Sequence, residues 1–257
     1  MQIHILKTKI LTTQIFLIVI SLLAFSVDAG TYSASSSDHP VALVELYTSQ
    51  GCSSCPPADK WLGNLQSTGI SNKQVVPLAL HVDYWDYIGW KDQFAQKTFT
   101  ERQYKYRRIN RSSSVYTPQI MFNGEDIRGL SFGRSLGQIS GKKAVVAFEL
   151  EASTITNDQI EVKVDFNRID KVAKNSRLIL VLAENNLVGN IKAGENTGRN
   201  LNHHHVARVW KNLGKLKNSM LTNISLSKEW NRKNLELVAF VETPEMQIQQ
   251  TLQLVLN

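Results

Sequence analysis

Short apolar runs recur along the chain, separated by polar stretches, and their spacing changes character near residue 142. Before that point strands and helices alternate. Val41–Tyr47 (VALVELY) and Gln74–Val82 (QVVPLALHV) are brief, nearly continuous apolar runs, the pattern of strands buried on both faces. Between them Ala58–Gln66 has helical spacing, as does Trp90–Ile109 after the second run. Gln119–Phe122 is a short strand, Asn123-Gly124 a hairpin signal, Asp126–Leu130 the returning strand, and Phe132–Ile139 a closing helix stopped by Gly141. This order predicts a parallel strand pair joined by right-handed crossovers, then an antiparallel hairpin: an α/β domain over 41–141. After Lys142 the helical spacing disappears. Ala144–Ala152, Gln159–Phe166, Arg177–Ala183, Val206–Trp210, Leu235–Glu242 and Gln247–Leu256 alternate as strands, predicting an all-β, sandwich-like domain over 142–257.

The first 29 residues follow a different rule. Lys7 and Lys9 precede an apolar run from Ile10 to Phe25, and Val27-Asp28-Ala29 offers a cleavage point, so 1–29 reads as a signal peptide and the mature chain begins near Gly30. Residues 30–40 are Ser-rich and read as a flexible lead-in. No comparable apolar run follows, so no stable membrane insertion is expected after cleavage, and the protein is placed in the periplasm or outside the cell. Composition adds one exclusion. The formal net charge is +7, but the excess is dispersed and no nucleic-acid-binding motif accompanies it, so it reads as a solvated basic surface with no nucleic-acid partner.

Export gives the two cysteines their meaning. Cys52 and Cys55 are the chain's whole complement, their spacing permits a disulfide, and oxidants are available outside the cytosol. Two cysteines cannot by themselves complete a structural zinc site. Pro56-Pro57 suits a first helical turn, placing a helix start near Ser54 or Cys55 with Cys52 just ahead. His81 ends the second parallel strand, at the sheet edge where ligand sites gather, with Asp83, Tyr84 and Trp85 following. His81 is either a hydrogen-bonded structural residue or a base, or it completes a copper or zinc site with both sulfurs. In His203-His204-His205, strand alternation lets only His203 and His205 share a metal, and no third ligand is evident in the sequence nearby. Gly194, Glu195, Gly198 and Arg199 suggest a shaped loop, a candidate cover for the cysteines.

The stretches Val44–Asp59 (VELYTSQGCSSCPPAD), His81–Asp92 (HVDYWDYIGWKD), Val115–Gly124 (VYTPQIMFNG) and Gly194–Trp210 together resemble a bacterial family of exported thioredoxin-like proteins catalogued as a domain of unknown function. The resemblance implies a thioredoxin-like fold for the first domain. It implies Cys52 as the more exposed, nucleophilic thiol, Cys55 as the resolving thiol, and a cis Pro118 opposite them, with the Thr117 backbone offered to a substrate peptide. Glu45 lies near the place where thioredoxins keep a buried acid; it is either a proton relay to Cys55 or an edge carboxylate satisfied by a lysine. The sequence also departs from that pattern. Pro56 and Pro57 remove two N–H donors, and Asp59 adds negative charge close by.

Three functions follow as expectations. One is a thiol-disulfide oxidoreductase acting on exported protein thiols or disulfides with an unidentified redox partner, needing no cofactor beyond the Cys52–Cys55 disulfide. Another is a metal-binding or copper-delivery protein using Cys52, Cys55 and His81. The third is a binding module in which the disulfide is structural.

Overall fold

The computed structural model describes residues 30–127, 131–139 and 141–256; the expected leader over 1–29 lies outside them. In chain order the elements are β1 (Thr31–Ser35), β2 (Ala42–Thr48), α1 (Pro56–Gly63), β3 (Val75–His81), α2 (Lys97–Ile109), β4 (Gln119–Phe122), β5 (Glu125–Ile127) and α3 (Ser131–Ile139). There follow β6 (Val146–Thr156), β7 (Gln159–Ile169), β8 (Arg177–Glu184), β9 (Leu187–Asn190), β10 (Asn200–His203), β11 (Val206–Lys215), β12 (Ser219–Ser225), β13 (Leu235–Glu242) and β14 (Ile248–Val255).

Fourteen strands against three α-helices among the described residues make this a mostly-β fold, and that overturns the expected α/β thioredoxin-like fold class. The decisive pairing is long-range. An eight-stranded sheet runs in the order β14-β13-β8-β11-β3-β2-β4-β5, taking strands from both sides of residue 142. Its junction is the parallel contact of β11 with β3, where Val206 faces Ala79 and Ala79 N–H donates to the His205 carbonyl at 2.8 Å. A second sheet, β1-β6-β7-β12, has four strands, and β9 and β10 form a separate ribbon. The Ser-rich segment read as a flexible lead-in supplies β1, which pairs antiparallel with β6 from Thr31↔Ser153 to Ser35↔Glu149.

Strand alternation explains how the large sheet is covered. Along β8, Leu178, Leu180 and Leu182 face one core, while Ile179, Val181 and Ala183 face another. The first core is shared with Val146, Phe148 and Leu150 of the four-stranded sheet, so the two sheets pack face to face there. The second core takes Phe99 and Tyr106 from α2 and Leu78 and Leu80 from β3. At the other end of the sheet, Ala42, Val44 and Leu46 pack on Leu62 of α1, with Phe132 and Leu136 of α3 alongside. A fully buried Leu of this kind contributes about 1.5–3 kcal/mol by removal from water. The β4–β5 turn is as expected: Asn123 and Gly124 both have positive φ (49° and 94°), as a type I′ hairpin requires.

Candidate functional site

β2 and β3 are parallel neighbours, with Thr48 opposite His81 at their carboxyl ends. The chain leaves β2 through Ser49, Gln50 and Gly51 and enters α1 after Cys55. Pro56 and Pro57 fill the first helical positions, where an N–H would have no intrahelical acceptor. Cys52 and Cys55 form a disulfide, and no other cysteine exists. The turn is held by Cys52 N–H to the Ser49 carbonyl (3.1 Å) and Cys55 N–H to the Cys52 carbonyl (3.2 Å). The Ser54 hydroxyl lies 3.4 Å from Cys52 Sγ. It is a local donor for that sulfur.

Cys52 is not the exposed member of the pair. Both cysteines are buried, at 1% and 0% exposure, while Ser53 and Ser54 between them face solvent. The cover is the segment between β9 and β10. Gly194 and Gly198 shape it with φ of 75° and 81°. The fully buried Asn196 donates from Nδ2 to the carbonyls of Gln50 (2.9 Å) and Cys52 (3.0 Å), and Glu195 accepts from Ser53 N–H (3.0 Å). The shaped loop expected around Gly194 therefore does lie over the cysteines.

The Thr117–Pro118 bond is cis. Trp85 links this segment to the disulfide loop. Its indole N–H donates to Thr117 Oγ1 at 2.7 Å, and its Cβ would lie 3.2 Å from a Cβ added at Gly51. Trp90 instead donates to Gln50 Oε1 (2.9 Å), and Tyr87 projects into solvent at 82% exposure. Asp83 is occupied locally, accepting from the Thr100 hydroxyl at 2.6 Å. Glu45 is buried and accepts from Arg102 Nε (2.6 Å), Arg102 Nη2 (3.2 Å) and the Tyr106 hydroxyl (2.6 Å); its cation is an arginine and not the expected lysine, and β2 is an interior strand of its sheet and not an edge.

Next to the disulfide turn lies a buried polar cluster that the sequence did not assemble. His81 is fully buried, and its Nδ1 stands 2.7 Å from Asp92 Oδ2. Asp92 also accepts from Gln50 N–H (2.8 Å) and Phe94 N–H (2.9 Å). Asp59, one helical turn after Cys55, is buried and accepts from the Thr48 hydroxyl at 3.1 Å. His203 packs edge-on against His81, their rings 4.9 Å apart, with Phe94 against both. Asp59, His81 and His203 each bring one ligand-type atom to within 4.8 Å of the others. His203 and His205, the pair that strand alternation puts on one face, do not share a site. Strand β10 ends at His203 and the chain turns at His205 (φ 55°), whose ring pairs with Glu236 at 2.8 Å. Only the β3–β11 pairing reveals His203 as a neighbour of His81, so no local signal pointed to it.

Burial dominates the electrostatics. It pushes the Asp59 carboxyl up to about 7, against the opposing pull of the His81 charge and the Thr48 hydrogen bond, so Asp59 is not the fixed negative charge its sequence position suggested. It pushes His203 down to about 3, helped by repulsion from His81. For His81 burial also acts downward, but the charge and hydrogen bond of Asp92 outweigh it and the imidazole lies above its ordinary value. Asp92 lies below its own: burial opposes this, and the His81 charge with three hydrogen bonds prevails.

The fold and site define a mostly-β protein with a covered CxxC disulfide beside a buried histidine–carboxylate cluster. A family model described as a protein of unknown function (DUF1223) matches residues 43–242, and the chain belongs to that family. Among solved structures it is similar to a crystallised protein from Agrobacterium tumefaciens, 25% identical with a TM-score of 0.61 over 86% of this chain and 97% of that one. It is also similar in fold to HBP35 of Porphyromonas gingivalis, 15% identical with a TM-score of 0.62 over 85% of this chain and 76% of that one. No curated protein matches. Among the described residues no helix is long and apolar enough to cross a membrane.

Proposed function

We propose that the protein is an exported thiol-disulfide oxidoreductase whose working pair is Cys52 and Cys55. The observation that carries this reading is where the cysteines are spent. Both go into one bond between residues three apart. A disulfide stabilises by restricting the unfolded chain, and that gain grows with loop length. So short a loop yields about 2 kcal/mol, against about 4.7 kcal/mol for a loop of a hundred residues. A structural staple would join distant strands; this bond instead sits at a helix entrance, where thiolates are favoured. The reading rests on this local chemistry and not on a thioredoxin-like fold.

In the reduced state the Cys52 thiolate attacks a substrate disulfide. A mixed disulfide forms, and the other substrate sulfur leaves as thiolate. Cys55 thiolate then attacks Cys52 Sγ, restoring the Cys52–Cys55 bond and releasing the second substrate thiolate. Two electrons pass from the protein to the substrate, and a partner dithiol returns them. The reverse sequence oxidises a substrate dithiol. Equilibration in glutathione redox buffers tests the reading. A measurable potential above about −300 mV is expected, the range of labile rather than structural bonds. A disulfide that stays oxidised well below that value would mark a structural staple.

Access requires the covering segment to move. Asn196→Ala removes two of the three hydrogen bonds that anchor the covering segment and leaves the Gln50 and Cys52 carbonyls without that donor. Reduction of the disulfide by dithiothreitol is expected to quicken about tenfold, the equivalent of about 1.4 kcal/mol of lost anchoring. An unchanged rate in stopped-flow measurements would show that the segment does not limit access.

A further inference from the structure

The buried cluster beside the disulfide has an arrangement that redox exchange does not use. We infer that Asp59, His81 and His203 form a binding site for a single divalent transition metal of the zinc class, separate from the cysteines. Two imidazoles and a carboxylate are the donor set of three-ligand zinc centres, in which a fourth position stays open. The three side chains reach the site from different elements: α1, the end of β3 and the end of β10. All are buried, and their candidate ligand atoms lie within 4.8 Å of one another, so closure onto a metal with bonds of about 2.0–2.2 Å needs only side-chain adjustment.

Hydrogen bonding separates this cluster from an ordinary polar core. A fully buried imidazole normally satisfies both nitrogens. His81 Nε2 and His203 Nδ1 are buried with no hydrogen-bond partner. His81 Nδ1 is meanwhile fixed by Asp92, itself held by two backbone N–H groups. A carboxylate on the far nitrogen of a histidine is the arrangement that orients a metal-binding imidazole and strengthens its basicity. Asp59 takes one donor, Thr48, which leaves lone pairs for a cation. Phe94 against both rings supplies a dry wall. There is also a way in: a cleft of about 370 Å³, lined by Pro56, Lys60, Asn64, Asn200 and His204, reaches Asp59.

The test uses the whole mature protein with its disulfide intact, stripped with chelator and titrated with Zn²⁺ alone, with Co²⁺ as an optical probe. One Zn²⁺ per chain is expected, with a dissociation constant in the micromolar range or tighter. A Tm rise of several degrees at saturating metal and a Co²⁺ absorption band typical of low coordination number should accompany it. His203→Ala should weaken binding at least tenfold, and so should Asp59→Asn, a near-isosteric change that keeps the packing. Near-UV circular dichroism checks that each variant is folded. His205→Ala should leave the affinity unchanged, because that ring pairs with Glu236 away from the cluster. Absence of stoichiometric binding by the oxidised protein overturns the site. So does binding that persists in both folded variants, which would point to the surface. Binding that appears only after reduction and is lost in Cys52→Ser would assign the metal to the cysteines, and the inference fails there too.

Discussion

Cys55→Ser is expected to convert a transient mixed disulfide into a stable one. With Cys52 free and its intramolecular partner gone, a substrate disulfide attacked by Cys52 has no internal thiol to release it, so exchange then waits on external thiols over minutes to hours. Non-reducing gels of cells expressing the variant should show new bands that collapse on reduction, with partners identified by mass spectrometry. Cys52→Ser should show few or none, because attack begins at Cys52. Wild type should run as a monomeric band. The effect is close to all-or-none, which makes it decisive. Loss of the four-residue loop costs only about 2 kcal/mol, so the fold should survive. Cys55 is fully buried, however, and a serine hydroxyl there costs about 1–3 kcal/mol without an acceptor. Cys55→Ala avoids that cost and should trap the same partners. If both variants fold and neither traps a partner while Cys52→Ser does, the roles are reversed. If none traps anything, the oxidoreductase reading is wrong.

The parts of this molecule legible in its sequence are those set by local chemistry. Asn123-Gly124 announced its hairpin because few other residue pairs accept positive φ twice in succession. VALVELY and QVVPLALHV announced buried strands, and Pro56-Pro57 announced a helix start. What stayed hidden depended on partners far along the chain. β11 reads as one more alternating strand, and nothing local says that Val206 lies beside Ala79. That one parallel contact decides the fold class, because it joins the early α/β-patterned strands to the later ones in a single sheet. It also decides the site, because it carries His203 to His81. β1 was missed for a related reason: TYSAS is only half-buried and takes its order from pairing with β6. Asp59 read as added negative charge near the cysteines; in the fold it is buried beside His81 and His203, and burial changes its chemistry.

The same dependence on distant partners governs the largest stability effect expected here. Arg102 of α2 is buried between Glu45 of β2 and Glu242 of β13, at 2.6 Å and 2.9 Å, and Arg177 of β8 pairs with the second Glu242 oxygen at 2.7 Å. Two cations and two carboxylates balance. The Arg102 guanidinium also lies over the rings of Trp210, Tyr106 and Phe240, 4.7–5.5 Å from their centroids. Burial alone would lower its pKa, but Glu45, Tyr106 and Glu242 hold it above its ordinary value, so it stays charged. Burial raises the Tyr106 phenol, which stays protonated and donates to Glu45. Arg102→Met keeps much of the apolar stem but leaves Glu45 buried with no cation of its own. A loss of about 3–5 kcal/mol is expected, read as a lower urea midpoint at unchanged slope. Pairing Arg102→Met with Glu45→Gln removes the stranded charge, so the double variant should be more stable than Arg102→Met alone, a coupling that a mere packing defect would not produce. Additive losses in that cycle would reduce the cluster to packing. The expected coupling would instead make it the tie between α2 and β2, the strand that ends at Thr48 and leads directly into the disulfide turn.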